Sequence, residues 1–192
     1  MSRADPLETL QDSLRGAPII WKGDYPYFIH PISDGIPRME SEVLRATRDL
    51  IVDMVDWSEV DLVVSVEAMG LPLLAAVGEA TGKPTVVIRK RSYGMKGEVR
   101  VDVSTGYSSS TAYINDIKRG ERVLVVDDVI STGGTLEPIL EALEEMGAIL
   151  KGVIIAIEKG EGRERLAKER PNWPIQTLAT IDIIEGRVEI VE

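Results

Sequence analysis

The segment richest in chemistry reads Val123-Leu124-Val125-Val126-Asp127-Asp128-Val129-Ile130-Ser131-Thr132-Gly133-Gly134-Thr135. An apolar strand delivers two adjacent carboxylates, and a run of small residues then leads into a helix. Ser131, Thr132, Gly133, Gly134 and Thr135 can turn backbone N–H groups and three hydroxyls toward one point, beside the positive end of that helix. Gly133 and Gly134 permit close backbone approach and positive φ angles. This is the chemistry of a phosphate site. The loop has no Gly-Lys pair and is too short for a P-loop, so a nucleoside triphosphatase is rejected; nor is it the G-x-G-x-x-G of a dinucleotide site. Asp127 and Asp128 would repel a phosphate that they touched. One step away they can accept hydrogen bonds from sugar hydroxyls. A phosphate and two neighbouring hydroxyls describe a ribose 5-phosphate, held at the carboxyl end of a strand, where α/β sheets bind ligands.

The flanking pattern supplies such a sheet. Leu62–Val66, Thr85–Ile88, Arg122–Val126 and Val153–Ile157 are short apolar β-runs that alternate with helices over about 72–81 and 136–146. That alternation implies βαβ units and a parallel sheet covered on both faces. Ile175–Ile183 and Val188–Val191 read as strands around the Glu185-Gly186 turn. Upstream, Asp5 and Pro6 start a short helix with Leu7, Leu10 and Leu14 on one face, and a second helix covers about 40–55. Residues 19–35 look like a hairpin. Between 91 and 115, Val99, Val101 and Val103 alternate as in a strand, and Ser104–Thr111 is polar. A long polar loop inside a compact domain reads as an arm that could close over a site.

The chain has 192 residues and a net charge of −10, from 22 basic and 32 acidic residues. Length gives one domain, with a hood at about 17–37 and a flexible loop at about 91–115. With no cysteine, thiol catalysis, disulfides and a Cys-ligated zinc are excluded; the single histidine argues against a multi-His metal centre. The acidic balance disfavours nucleic acid and anionic membranes as partners. No apolar run approaches the ~20 residues of a membrane helix. The first ten residues carry no signal-peptide h-region. The expectation is a soluble cytoplasmic protein.

The apolar strand, the acid pair and the Ser-Thr-Gly-Gly-Thr loop resemble the mark of the type I phosphoribosyltransferases. Val66-Glu67-Ala68-Met69-Gly70 is similar to that family's pyrophosphate loop, and Arg89-Lys90-Arg91 to its next pyrophosphate contact. Arg91–Asn115 sits where the family carries its flexible catalytic loop, so the likeness spans Ile19 to Ile157. The combined motifs look most like the archaeal hypoxanthine/guanine branch, itself close to adenine phosphoribosyltransferases.

The resemblance implies roles. Asp127 and Asp128 would hold the ribose hydroxyls of phosphoribosyl pyrophosphate, and Ser131–Thr135 the 5-phosphate. Glu67, Ala68, Met69 and Gly70 would meet the pyrophosphate, with a cis peptide after Glu67. Arg89 and Lys90 would neutralise it. Mg²⁺ would bridge pyrophosphate and ribose oxygens, with no protein metal ligand assigned. Phe28 and Ile29 are candidates for contact with the purine. A homodimer is the family expectation. Adenine-type members place a glutamate in the flexible loop, which Ser104–Thr111 lacks. Adenine as substrate, and a non-catalytic sensor of phosphoribosyl pyrophosphate, therefore stand as alternatives. A receiver-like domain is disfavoured, because the small-residue loop has no place there.

Bland readings apply elsewhere. His30 beside an apolar stretch reads as structural, and Glu161–Arg170 as an exposed charged helix face. Tyr27 and Phe28 either stack on a base or simply pack.

Overall fold

The computed structural model describes residues 4–23, 25–104 and 109–191. In chain order its elements are α1 (Pro6–Arg15), β1 (Ile19–Lys22), β2 (Tyr25–Phe28), α2 (Pro31–Asp34), α3 (Ser41–Asp53), β3 (Leu62–Val66), α4 (Gly70–Thr81) and β4 (Thr85–Ile88). They continue with β5 (Val99–Ser104), β6 (Ser109–Ile114), β7 (Arg122–Ile130), α5 (Leu136–Glu145), β8 (Ile149–Lys159), α6 (Gly162–Glu169), β9 (Ile175–Ile184) and β10 (Arg187–Val191).

Six strands form the central sheet in the order β10-β9-β8-β7-β3-β4. All neighbours are parallel except β10, which turns back antiparallel on β9. The parallel strands are apolar because both faces are covered. On one face Val64, Val66, Val123, Val125 and Ile155 pack with Ile139, Leu140 and Leu143 of α5 and Leu166 of α6. On the other, Val63, Leu124, Val126 and Ile154 pack with Leu10 and Leu14 of α1, Ile51 of α3 and Leu73 and Val77 of α4. Asp5 starts α1 as expected, its carboxylate accepting from the Leu7 N–H at 2.8 Å. Leu7 itself stays exposed.

Two strands outrun their sequence reading. β7 continues from Val126 to Ile130, because Asp127, Val129 and Ile130 stay in register with Ile155, Ile157 and Glu158 of β8. β8 begins at Ile149 rather than Val153 and ends two residues beyond Ile157. The acid pair is thus carried inside a strand, not on a loop.

Two small ladders stand apart from the main sheet. β1 and β2 form the hood hairpin, followed by α2. β5 and β6 form the arm, in register from Val99↔Ile114 to Ser104↔Ser109. Its inner residues Val101, Val103, Ala112 and Ile114 are buried in the same cluster as α5. The sequence reading expected polar loop over Ser104–Thr111; Ser109–Thr111 belong to β6, and residues 105–108 lie outside the described residues. No helix among the described residues is long and apolar enough to cross a membrane.

Candidate active site

The carboxyl ends of β3, β4, β7 and β8 meet in two cavities that share Asp127 and Asp128. One, of about 360 Å³, lies between the Ser131–Thr135 loop and the hood, and is lined also by Phe28, Ile155 and Lys159. The other, of about 370 Å³, lies against Glu67, Ala68, Met69 and Lys90 and is roofed by Val103, Ser110 and Ala112 of the arm. The acid pair therefore sits at the junction of a lobe beside Ser131–Thr135, the expected phosphate loop, and a lobe built around residues 67–69 and Lys90.

Burial makes this pair reluctant to ionise. It pushes the Asp127 carboxyl up to about 6, against hydrogen bonds from Asp128 that pull it down. Asp128 is raised well above the usual carboxylate range, first by burial and then by the Asp127 charge. Asp127 Oδ1 has no hydrogen-bond partner, nor has the neighbouring Ser65 Oγ. Gly70 explains their crowding. A Cβ there would fall 1.9 Å from Ser65 Oγ and 2.7 Å from Asp127 Oδ1, so only glycine lets α4 begin this close to β7.

The phosphate loop has the shape its composition predicts. Gly133 has φ +80°, and its Cβ position is filled by Leu166 and Arg165 of α6. Gly134 faces the arm: the Ser104 N–H donates to its carbonyl at 3.1 Å, and a Cβ would meet the Ser104 oxygen at 2.3 Å. Thr135 starts α5 without a side-chain capping bond. The first-turn N–H groups of α5 therefore stand at the edge of the loop with no cap from Thr135.

On the opposite lobe, the peptide between Glu67 and Ala68 is cis. The two basic residues expected here divide their work. Lys90 lines the cavity. Arg89 turns away from it, pairing through Nε with Glu67 Oε2 at 2.5 Å. The Arg89 backbone also bonds Tyr113 in both directions, tying the arm to β4. The turn that follows is gathered by Glu98, which accepts from Ser92 Oγ, the Tyr93 N–H and Asn115 Nδ2. These bonds hold its carboxyl down at about 2.

Of the two candidate base contacts, only Phe28 reaches the site. It is buried, stacks on Tyr27 at 6.4 Å and lines the phosphate-loop lobe. Ile29, the first residue after β2, instead lines a separate cavity beside His30 and Pro31. His30 is structural, as expected. Its Nδ1 accepts from the Ile32 N–H at the start of α2, its Nε2 meets Ser13 Oγ at 3.1 Å, and burial lowers its pKa to about 4.

Lys159 was not anticipated. It ends β8, lines the phosphate-loop lobe and donates to the Pro26 carbonyl of the hood at 2.9 Å. The available signal was its position two residues past an apolar run, at the same sheet edge as the acid pair. Among the described residues no cluster of three or more His, Cys, Asp or Glu could cage a metal.

This arrangement places an acid pair beside a small-residue loop at the carboxyl edge of a parallel sheet, the layout expected of a sugar-phosphate site. Residues 34–179 match the phosphoribosyl transferase domain, and the chain belongs to that family. It is 48% identical over 181 residues to a hypoxanthine/guanine phosphoribosyltransferase of Methanocaldococcus infernus, covering 94% of this chain and 98% of the relative. A protein of the same name from Ferroglobus placidus is 48% identical over 186 residues, covering 97% and 98%. Among solved structures, the adenine phosphoribosyltransferase of Thermoanaerobacter pseudethanolicus superposes with a TM-score of 0.74 at 21% identity, covering 91% of this chain and 99% of that one. This last likeness speaks to the fold alone.

Proposed function

We propose that the protein transfers the 5-phosphoribosyl group of phosphoribosyl pyrophosphate to hypoxanthine or guanine. A purine ring nitrogen forms a bond to the anomeric carbon as the bond from that carbon to pyrophosphate breaks, and the purine N–H proton is given up. The observation that carries this reading is the pair of lobes joined at Asp127 and Asp128. The 5-phosphate fits the Ser131–Thr135 loop, the ribose hydroxyls the acid pair, and the pyrophosphate the lobe of Glu67, Ala68, Met69 and Lys90, with Arg89 holding Glu67 through its ion pair and Gly70 starting α4 beside it. Catalysis by such a site is positioning and electrostatics, with the arm excluding water.

Base choice follows from donors and acceptors. Lys159 can only donate, so it suits the 6-oxo group of hypoxanthine and guanine and gives no acceptor to the 6-amino group of adenine. Phe28 offers the base an apolar flank. The archaeal relatives' names point the same way.

Mg²⁺ fits the site, because Asp127 Oδ1 is buried without a hydrogen-bond partner beside a second carboxylate. Asp127 and Asp128 would face the ion, which mainly supplies neutralisation of the leaving pyrophosphate. The working assembly is a homodimer, to which exposed Tyr93 and Met95 beside the basic segment contribute an apolar face. A charged substrate that does not cross membranes unaided supports a cytoplasmic location.

The test is direct. Phosphoribosyl pyrophosphate, Mg²⁺ and each of hypoxanthine, guanine, adenine and xanthine are incubated with the protein. Nucleotide and pyrophosphate are expected in equal amounts from the first two. Turnover of adenine alone would replace this reading with the adenine activity. Ligand binding with no turnover of any base would make the protein a sensor.

A further inference from the structure

We infer that Arg165 is a positioning residue for the phosphate loop, and that α6 acts as a brace holding the loop peptides from behind. The inference rests on the reading that this loop takes the 5-phosphate. A loop that meets an anion with its N–H groups must send its carbonyls the other way, because C=O and N–H point in opposite directions across a trans peptide. Those carbonyls then need donors on the far side, or the peptide can rotate and present oxygen to the anion.

α6 supplies two such donors. The Gly162 N–H donates to the Ser131 carbonyl at 2.8 Å. Arg165 Nη2 donates to the Thr132 carbonyl at 3.2 Å. Holding Ser131 O fixes the plane that carries the Thr132 N–H, and holding Thr132 O fixes the plane that carries the Gly133 N–H. Two further contacts make the brace stiff. The same Nη2 reaches Glu137 Oε2 in the first turn of α5 at 2.7 Å, and Nη1 reaches Glu169 Oε2 at 2.5 Å. One guanidinium thus joins the loop, the helix after it and its own helix. A planar fork can do this, and an ammonium cannot reproduce its geometry.

The close fit leaves no room for error at Gly162, where a Cβ would lie 2.4 Å from Ser131 O. The start of α6 is itself pinned to the sheet. Buried Glu158 takes Arg163 Nε at 2.6 Å, Thr177 Oγ1 at 3.0 Å and Thr180 Oγ1 at 3.2 Å.

The experiment measures binding of inosine 5′-monophosphate and of inosine, which lacks the phosphate, to wild type, Arg165→Met and Arg165→Lys. For Arg165→Met, affinity for the monophosphate is expected to fall about 10- to 100-fold, with inosine changed less than about 2-fold. Arg165→Lys keeps the charge but loses the fork. It should recover only part of the loss, and added salt should not erase its deficit. If wild type does not prefer the monophosphate, the phosphate-loop reading itself fails. If wild type prefers it and both variants keep the same preference, the brace is overturned. Equal loss for both ligands would mark Arg165 as a general structural residue, and full recovery by lysine would reduce it to a distant charge; either result also overturns the inference.

Discussion

The backbone N–H of Ser104, at the outer end of β5, donates to the carbonyl of Gly134 in the phosphate loop at 3.1 Å. The arm therefore rests on the loop proposed to take the 5-phosphate. Gly134→Ala would set a Cβ 2.3 Å from the Ser104 oxygen, so the arm must lift. Turnover should fall about 10- to 100-fold, as for the loss of one positioning contact, while the melting temperature stays within a few degrees. Steady-state kinetics beside thermal unfolding separates the two effects.

Gly70→Ala should be more damaging. Its methyl would collide with Ser65 Oγ of β3 and Asp127 Oδ1 of β7, both buried. Overpacking of this kind costs about 1–3 kcal/mol. Adding Ser65→Ala removes the nearer oxygen and should restore part of the stability but little of the activity, since Asp127 still moves. A double-mutant cycle in denaturant gives the coupling between the two sites.

The acid pair predicts an opposition between stability and activity. Folding raises the Asp127 pKa from 3.8 to about 6, so the group favours the fold below pH 3.8 and that contribution is lost as pH rises through 6. At pH 7.5 Asp127→Asn should therefore be more stable than wild type by about 1–3 kcal/mol, with the gap closing toward pH 4. Its turnover should drop by about 100-fold, because an amide loses the charge-assisted bonds to the sugar hydroxyls. Urea unfolding at several pH values, alongside an assay at pH 7.5, checks both halves.

His30 titrates in the contrary sense. Its pKa falls from 6.5 to about 4 on folding because the buried ring stays neutral. Stability tied to this group is complete above pH 6.5 and declines as pH falls toward 4, by about 3 kcal/mol in all. Since Asp127 pulls the other way over part of that range, the difference between wild type and His30→Asn is the quantity to follow. Asparagine keeps a capping acceptor for Ile32 but has no proton to gain. The wild type should lose ground against the variant from pH 6.5 downward.

Local chemistry was legible in the sequence; tertiary placement was not. The acid pair and the Ser-Thr-Gly-Gly-Thr loop could be read because strand, carboxylates, glycines and helix start lie within thirteen consecutive residues. The cis peptide after Glu67 was reached through family likeness, since no local pattern announces one. Ile29 was grouped with Phe28 by adjacency, whereas the strand ends at Phe28 and the chain carries Ile29 to a different cavity. Asp127 and Asp128 looked like a strand terminus, yet pairing with β8 carries the strand past them. Arg165 lay hidden in a charged helix that reads as solvent-facing, and Glu164 and Lys168 indeed only pair with one another at the surface. Its bond to Thr132 depends on how β8 returns the chain to the loop, which spacing within α6 does not reveal.

The arm has one more consequence. Val101, Val103, Ala112 and Ile114 anchor its root in the core, and Arg89 stitches its second strand to the sheet. Its base is clamped on two sides, which holds the roof of Val103, Ser110 and Ala112 in place over Lys90. Opening the lobe over Lys90 would require that core packing to part, so the lobe stays assembled between one turnover and the next.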